Sequence, residues 1–146
     1  MNQDFAEMLN ALCDQEAEFI VVGAYAMAAH GFPRATGDID IWVRPTQKNA
    51  EKVWKALLDF GSPLFNLTMK DLYEPGIVFQ IGLPPNRIDI LTRITGVEFE
   101  DAWRERLEIT IQGRMIPVLG KSDLIRNKQQ TGRPKDLGDV ETLLNE

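Results

Sequence analysis

The chain has 146 residues, of which 44% are hydrophobic, and a formal net charge of −6. This length predicts one domain, over residues 1–146, which can bury a core but has no room for a second substrate-binding domain. The negative charge argues against a protein that coats nucleic acid nonspecifically. No charged leader precedes an apolar stretch, and no apolar run nears the ~20 residues of a membrane span, so we expect a soluble cytoplasmic protein.

Hydrophobic periodicity predicts alternating helices and strands along the chain. In the first half, the patterns predict a helix, a strand, a short helix, a strand and a long helix, at 2–17, 19–22, 24–30, 38–44 and 46–60. In the second half, they predict strands at 77–81, 87–92, 107–112 and 114–118, with a further helix allowed before the last two, and closing helices at 122–130 and 135–145. This order indicates an α/β (α+β) fold, a mixed β-sheet flanked by helices.

Two of the predicted strands carry aspartates. Asp38 and Asp40 are two residues apart, so their side chains project from the same face of a strand. If the strand containing Asp89 pairs alongside, three carboxylates converge, and each like-charged pair at ~4 Å costs roughly 4 kcal/mol at an effective dielectric near 20. A cation is therefore expected there. Oxygen ligands without nearby His or Cys favour Mg²⁺, or Mn²⁺, over zinc.

These carboxylates also have ordinary structural explanations. An Asp-Ile-Asp-Ile run fits a solvated strand face, although aspartate is disfavoured in strands. Asp89 could instead pair with Arg87 or with a lysine. Asp136 and Asp139 lie near the start of the last predicted helix, where a negative charge complements the helix dipole.

The ordered set of motifs resembles the nucleotidyltransferase superfamily that includes DNA polymerase β. The set consists of an apolar strand ending at Gly23-Ala24, the Asp38-Ile39-Asp40 strand and a later strand containing Asp89. The segment Arg34-Ala35-Thr36 and the tail Leu124–Asp139 are similar to small stand-alone nucleotidyltransferases and to nucleotidyltransferase toxins of abortive-infection systems. The resemblance covers about half of the chain.

The resemblance implies a magnesium-dependent enzyme that moves a nucleoside monophosphate from a nucleoside triphosphate to an acceptor. Asp38, Asp40 and Asp89 would be the catalytic and metal-binding carboxylates, and Asp89 would help deprotonate the attacking hydroxyl. The helix opened by Gly23 would bring backbone N–H groups to the triphosphate. The residues at the implied nucleotide-binding positions are Gly23, Ala24, Arg34, Thr36, Lys128 and Arg133.

The cationic residues of this set have alternatives too. Lys128 and Arg133 fit phosphate contacts and surface solubility about equally well, and Arg34 fits either the acidic cluster or the substrate. His30, the only histidine, fits a helix end better than a catalytic base.

The chain departs from the family pattern at Ala24, where the family has Gly or Ser and where a hydroxyl donor is therefore lost. This departure supports an alternative, a catalytically silent nucleotide- or partner-binding module of a toxin–antitoxin pair. Acceptors consistent with the resemblance are a tRNA 3′ end, a side chain of a partner protein and a small molecule such as an antibiotic. Small size and acidity favour a partner protein or a small molecule, while the basic segment Lys121–Lys135 leaves tRNA among the acceptors. A homodimer and a toxin–antitoxin complex are both compatible with the sequence.

Overall fold

A six-stranded mixed sheet forms the centre of the computed structural model, which describes residues 1–145. The strands are β1 (Phe19–Val22), β2 (Asp38–Val43), β3 (Val78–Ile81), β4 (Arg87–Leu91), β5 (Leu107–Ile111) and β6 (Arg114–Val118). The α-helices are α1 (Gln3–Asp14), α2 (Ala24–Ala29), α3 (Gln47–Phe60), α4 (Phe99–Arg104), α5 (Lys121–Thr131) and α6 (Pro134–Leu144). The strand order is β3-β4-β2-β1-β6-β5, so the mixed sheet flanked by helices that the sequence predicts is confirmed.

The predicted elements agree with the observed ones to within a few residues at their ends. The first helix ends early, at Asp14, because Glu16 takes a positive φ of 56° and turns the chain towards β1. A 3-10 helix at Met69–Leu72 was not predicted. It forms around a reciprocal capping box in which the Thr68 and Asp71 side chains accept each other's backbone N–H groups.

The two halves of the sheet are joined differently. Strand β1 pairs antiparallel with β2 and parallel with β6, whereas β2 pairs parallel with β4. The central strand β1 is buried along its whole length, as its continuous apolar run predicts. No helix in the described part of the chain is long and apolar enough to cross a membrane.

The β2 face that carries the aspartates is covered at one end only. Trp42 is 1% exposed and packs edge-on against Phe99 of α4, with 5.0 Å between ring centroids. The Asp38 side chain, at the other end of the strand, is 39% exposed. Burying a large aromatic side chain contributes about 2–3 kcal/mol, so the covered end anchors the strand. The aspartates therefore lie at the open rim of a face that is otherwise part of the core.

Candidate active site

Strand register brings the predicted carboxylates onto one face of the sheet. In the parallel β2–β4 pair, Asp40 lies opposite Asp89 and Asp38 lies opposite Arg87. Directly opposed residues share a face, and so do residues two apart on one strand. All four side chains therefore project from the same side. The structure brings the three aspartates together, and their chemical roles stay predictions.

Arg87 binds two of the three aspartates. Its Nε donates to Asp89 Oδ1 at 2.8 Å and its Nη2 donates to Asp89 Oδ2 at 3.1 Å, which makes a two-pronged contact with one carboxylate. The same Nη2 also donates to Asp38 Oδ2 at 3.2 Å. The pairing of Asp89 with Arg87, an alternative at the sequence level, is thus present alongside the carboxylate cluster.

Asp40 is the carboxylate that Arg87 does not contact through a hydrogen bond. Burial is the largest cause that raises the pKa of Asp40 to about 6, followed by the charge of Asp89 and a hydrogen bond with it. The charge of Asp38 adds to this increase and the charge of Arg87 opposes it. Negative charge is therefore only partly compensated at this point.

Gly23 supplies the backbone shape that places helix α2 against Asp40. Its φ is +70°, and a Cβ built on it would lie 2.3 Å from Asp40 Oδ2. Both the positive φ and the close approach disfavour a larger residue. Gly23 is also the N-cap residue of α2 and is followed by Ala24, so the expected glycine-opened helix is present.

A cleft of about 330 Å³ lies between the aspartate strand β2 and the two C-terminal helices. Its lining includes every residue predicted for nucleotide binding, together with Asp38 and Asp40. Two further residues, Lys135 and Asp136, were not assigned to the site from sequence. A groove of about 310 Å³ beside edge strand β3 is lined mainly by apolar side chains, and its described lining includes no Lys or Arg. The chemistry of phosphate binding therefore favours the first cleft.

Two of the predicted phosphate-binding cations are held by one aspartate on α6. Arg34 donates from both terminal nitrogens to Asp139, at 2.7 and 3.2 Å. Lys128 is buried, and its Nζ lies 2.8 Å from Asp139 Oδ2 and 3.5 Å from Asp136 Oδ1. Lys128 is thus an internal cation at the floor of the cleft rather than a solvated surface lysine.

The carboxylate of Asp136 is also occupied by hydrogen bonds within the protein. It accepts hydrogen bonds from Arg133 Nε at 2.6 Å and from Thr131 Oγ1 at 2.7 Å. Burial alone would raise the pKa values of Asp136 and Asp139, but hydrogen bonds and neighbouring cations outweigh it and lower both. The interpretation of these aspartates as helix-terminal charges did not foresee these ion pairs.

Lys135 is the cation of the cleft that has no carboxylate partner in the part of the chain that the structure describes. It is exposed and lines the cleft beside Arg133, whose side chain is 75% exposed. Sequence reasoning counted Lys135 in the basic segment without giving it a role. Its position at the first turn of α6, two residues from Arg133, was the available signal.

The remaining candidates have local roles in the structure. Thr36 Oγ1 accepts from the Asp38 backbone N–H and donates to the Asp38 carbonyl, both at 3.2 Å, so it fixes the start of β2. His30 Nε2 lies 2.8 Å from the Leu119 carbonyl oxygen, which ties the end of α2 to the end of β6. This contact agrees with the helix-end interpretation of His30.

The donor set fits a divalent cation in chemistry and in charge. Three carboxylates supply the hard oxygen ligands that Mg²⁺ and Mn²⁺ prefer. A guanidinium already lies between Asp38 and Asp89, where positive charge is favoured. Over residues 1–145, no three His, Cys, Asp or Glu side chains are already arranged as a metal site. A metal ion would therefore have to compete with Arg87.

The sequence matches one protein-family model along almost its whole length. The model is described as "Nucleotidyltransferase of unknown function (DUF6036)" and matches residues 2–144. No curated protein matches the chain in sequence.

Several solved structures share the fold at low sequence identity. A candidate nucleotidyltransferase of Thermotoga maritima, TM1012, has a TM-score of 0.63 at 15% identity, covering 97% of this chain and 90% of that one. The lincosamide antibiotic adenylyltransferase LnuA, solved with lincomycin, has a TM-score of 0.61 at 15% identity, covering 99% and 96%. The antibiotic-resistance factor ANT(2'')-Ia has a TM-score of 0.62 at 12% identity, covering 97% and 81%. At these identities the likeness establishes the fold.

Proposed function

The chain belongs to the nucleotidyltransferase family DUF6036, and from this premise we propose that it transfers an adenylyl group from ATP to a compact, hydroxyl-bearing acceptor. The family assigns nucleotidyl transfer in general. The choice of ATP, the need for Mg²⁺ or Mn²⁺, the class of acceptor and the roles of individual residues belong to the proposal.

The observation that carries the proposal is the opposition of charges across the cleft. One wall presents Asp38 and Asp40, with Asp89 beside them in register. The other wall presents the ammonium of Lys135 and the guanidinium of Arg133. A triphosphate carrying a divalent cation has the complementary arrangement, with the metal next to carboxylates and the outer phosphates next to cations.

The proposed reaction is an in-line displacement at the α-phosphorus. The acceptor oxygen forms a new P–O bond while the bond from the α-phosphorus to the bridging oxygen breaks, and pyrophosphate leaves with that electron pair. The proton of the acceptor hydroxyl passes to a carboxylate, a role that we assign to Asp89. Asp89 is buried opposite Asp40, and one of its oxygens would have to exchange its hydrogen bond with Arg87 before it accepts this proton.

Asp38, Asp40 and Asp89 are the residues that would hold Mg²⁺. When bound, the metal would neutralise charge on the attacking and leaving oxygens. The protein's own contribution on the other wall is to hold the phosphates. Lys135 and Arg133 reach solvent and suit the β- and γ-phosphates, whereas Asp139 fixes Lys128 and Arg34 at the base of the cleft.

Two of the structural neighbours support a compact acceptor. One is an adenylyltransferase bound to lincomycin, and ANT(2'')-Ia has been solved with adenylyl-2''-tobramycin. This chain spans 96% and 86% of those two chains, so it is of similar size. Support for tRNA is weaker, since Lys128 of the basic segment is buried and already forms ion pairs inside the protein.

One observation favours a second candidate, a nucleotide- or partner-binding module of a toxin–antitoxin pair without transfer. Ala24 lines the cleft with a methyl group where the family pattern has Gly or Ser, so a hydroxyl donor to the triphosphate is lost. Such a module would bind ATP with Mg²⁺ and release no pyrophosphate with any acceptor.

The two candidates are separated by the fate of ATP labelled in its α-phosphate. We expect the wild-type protein, with Mg²⁺ and a panel of hydroxyl-bearing antibiotics, tRNA and proteins, to transfer the label to one compact member and to release pyrophosphate. Asp40→Asn should abolish transfer, whereas Asp101→Asn, on the exposed face of α4, should not. Label transferred only to tRNA or protein would overturn the compact acceptor, and binding without transfer would favour the module.

A further inference from the structure

Arg87 joins two of the three carboxylates that would hold a metal ion. Its guanidinium engages both oxygens of Asp89, at 2.8 and 3.1 Å, and one oxygen of Asp38, at 3.2 Å. The arginine side chain is 26% exposed and the Asp89 side chain 10%, so solvent screens this pair only in part. The contact is built into the sheet, since Arg87 lies opposite Asp38 and two residues before Asp89.

This contact lowers the affinity of the three aspartates for a free metal ion in two ways. Three carboxylate oxygens already accept hydrogen bonds from Arg87, and a metal ligand would have to exchange or share them. A fixed positive charge within the cluster also repels an incoming divalent ion. Asp40, the third carboxylate, has no hydrogen bond to Arg87 among the described contacts.

The ligands and charges are balanced differently when the metal ion is already bound to a triphosphate. The triphosphate supplies oxygen ligands of its own, so fewer carboxylate oxygens need to be released. Its negative charge also offsets the repulsion between the metal and the guanidinium. The same arginine that disfavours the free ion therefore penalises the metal–nucleotide complex much less.

We propose that Arg87 is a built-in counter-cation that keeps the affinity of the empty site for a free divalent metal low, so that the metal enters together with the nucleoside triphosphate. The inference rests on the proposed function, because it concerns the order in which that site is filled. Arg87 acts here as a positioning residue, through its contacts with Asp38 and Asp89.

The test is a titration of Mn²⁺ alone, followed by electron paramagnetic resonance of the free ion, into wild-type protein and Arg87→Met. At pH 8 the Asp40 carboxyl, whose pKa is raised to about 6, is ionised in the wild type. We expect Arg87→Met to bind Mn²⁺ at least tenfold more tightly than wild type. Arg87→Lys keeps the charge and should stay near wild type. The matched control is Arg106→Met, a side chain of similar exposure, 28%, that pairs with Glu108.

The same titrations with ATP present complete the design. The difference between wild type and Arg87→Met should shrink to about threefold or less. An equal or weaker Mn²⁺ affinity of folded Arg87→Met and of a second variant, Arg87→Gln, would overturn the role of Arg87. If wild type binds Mn²⁺–ATP in that case, the proposed function stands without this inference. If none of the proteins binds Mn²⁺–ATP, both fail.

Discussion

The two walls of the cleft carry charge in opposite ways. On the helical wall, Lys128, Arg34 and Arg133 are each neutralised by Asp136 or Asp139, and the pKa values of both aspartates are lowered. On the sheet wall, one arginine faces three carboxylates, and the pKa of Asp40 is raised to about 6. The comparison indicates that the first set of charges stabilises the fold, whereas the second stores repulsion, which in our proposal a bound metal ion relieves.

The largest expected effect on stability follows from breaking the ion pairs of the helical wall. Asp139→Ala would leave buried Lys128 with Asp136, 3.5 Å away, as its remaining carboxylate partner and would free Arg34 from its two-pronged partner. Removing one partner of a buried ion pair costs about 3–5 kcal/mol when the remaining charge is uncompensated. Because Asp136 still compensates part of the Lys128 charge, we expect the free energy of unfolding in urea to fall by up to about that amount.

Asp101→Ala is the control, because its partner Arg104 is exposed, and it should change stability by less than about 1 kcal/mol. If both variants unfolded at the same urea concentration, the helical wall would not be the stabilising one.

Replacing an aspartate of the sheet wall should instead raise the free energy of unfolding. Asp40→Asn removes the repulsion and lets an amide donate to Asp89, so we expect the metal-free protein to gain about 1–3 kcal/mol at pH 8. A carboxyl whose folded pKa is about 6, above its unfolded value of 3.8, costs stability that is fully present above pH 6 and vanishes below about pH 4. Thermal unfolding of both proteins from pH 4 to 8 measures this difference. A constant or reversed difference would contradict the stored repulsion.

The contact between Gly23 and Asp40 sharpens the comparison further. Gly23→Ala places a methyl group against Asp40 Oδ2 in addition to straining a residue at φ +70°. Gly31→Ala is a matched control, since Gly31 also has a positive φ, of +96°, and no atom within 4 Å of an added Cβ. We expect Gly23→Ala to cost about 1–2 kcal/mol more than Gly31→Ala in unfolding experiments. Equal losses of stability would show that the Asp40 side chain moves away from the added methyl group at no cost in free energy.

The smallest expected effect on stability is that of replacing Lys135, the cleft cation without a carboxylate partner in the described structure. Lys135→Ala removes no ion pair of the described structure, so we expect less than about 0.5 kcal/mol of change in stability. Its affinity for Mg²⁺–ATP should fall by about threefold to tenfold, as a partly exposed phosphate contact is lost. Lys55→Ala, an exposed lysine on α3, should leave affinity unchanged. A loss of affinity in both variants, or in neither, would remove Lys135 from the nucleotide site.

The sheet could be predicted because its signals are local. A continuous apolar run marked the buried β1, and alternation placed Asp38 and Asp40 on one face. Pairing with β4 then required only that two aspartate-bearing strands lie side by side, which the family resemblance supported. The sequence also offered the pair Arg87–Asp89, but not the reach of the guanidinium to Asp38, which depends on the register of β2 against β4.

The helical wall was not predictable in the same way. Arg34 and Asp139 are 105 residues apart, and no periodic pattern links a loop before β2 to the second turn of α6. Lys128 was weighed between a phosphate contact and a surface residue. It is buried because α5 and α6 pack with Asp136 and Asp139 turned towards it, a tertiary arrangement that single-helix patterns do not contain.

The most direct test of the central claim is a calorimetric titration of ATP into the metal-free protein, with and without Mg²⁺, for wild type and Asp38→Asn/Asp40→Asn. Stored repulsion that a ligand relieves predicts Mg²⁺-dependent binding by wild type, and its loss in a double variant that is folded and at least as stable. Binding that is independent of Mg²⁺, or equally tight in the double variant, would contradict it.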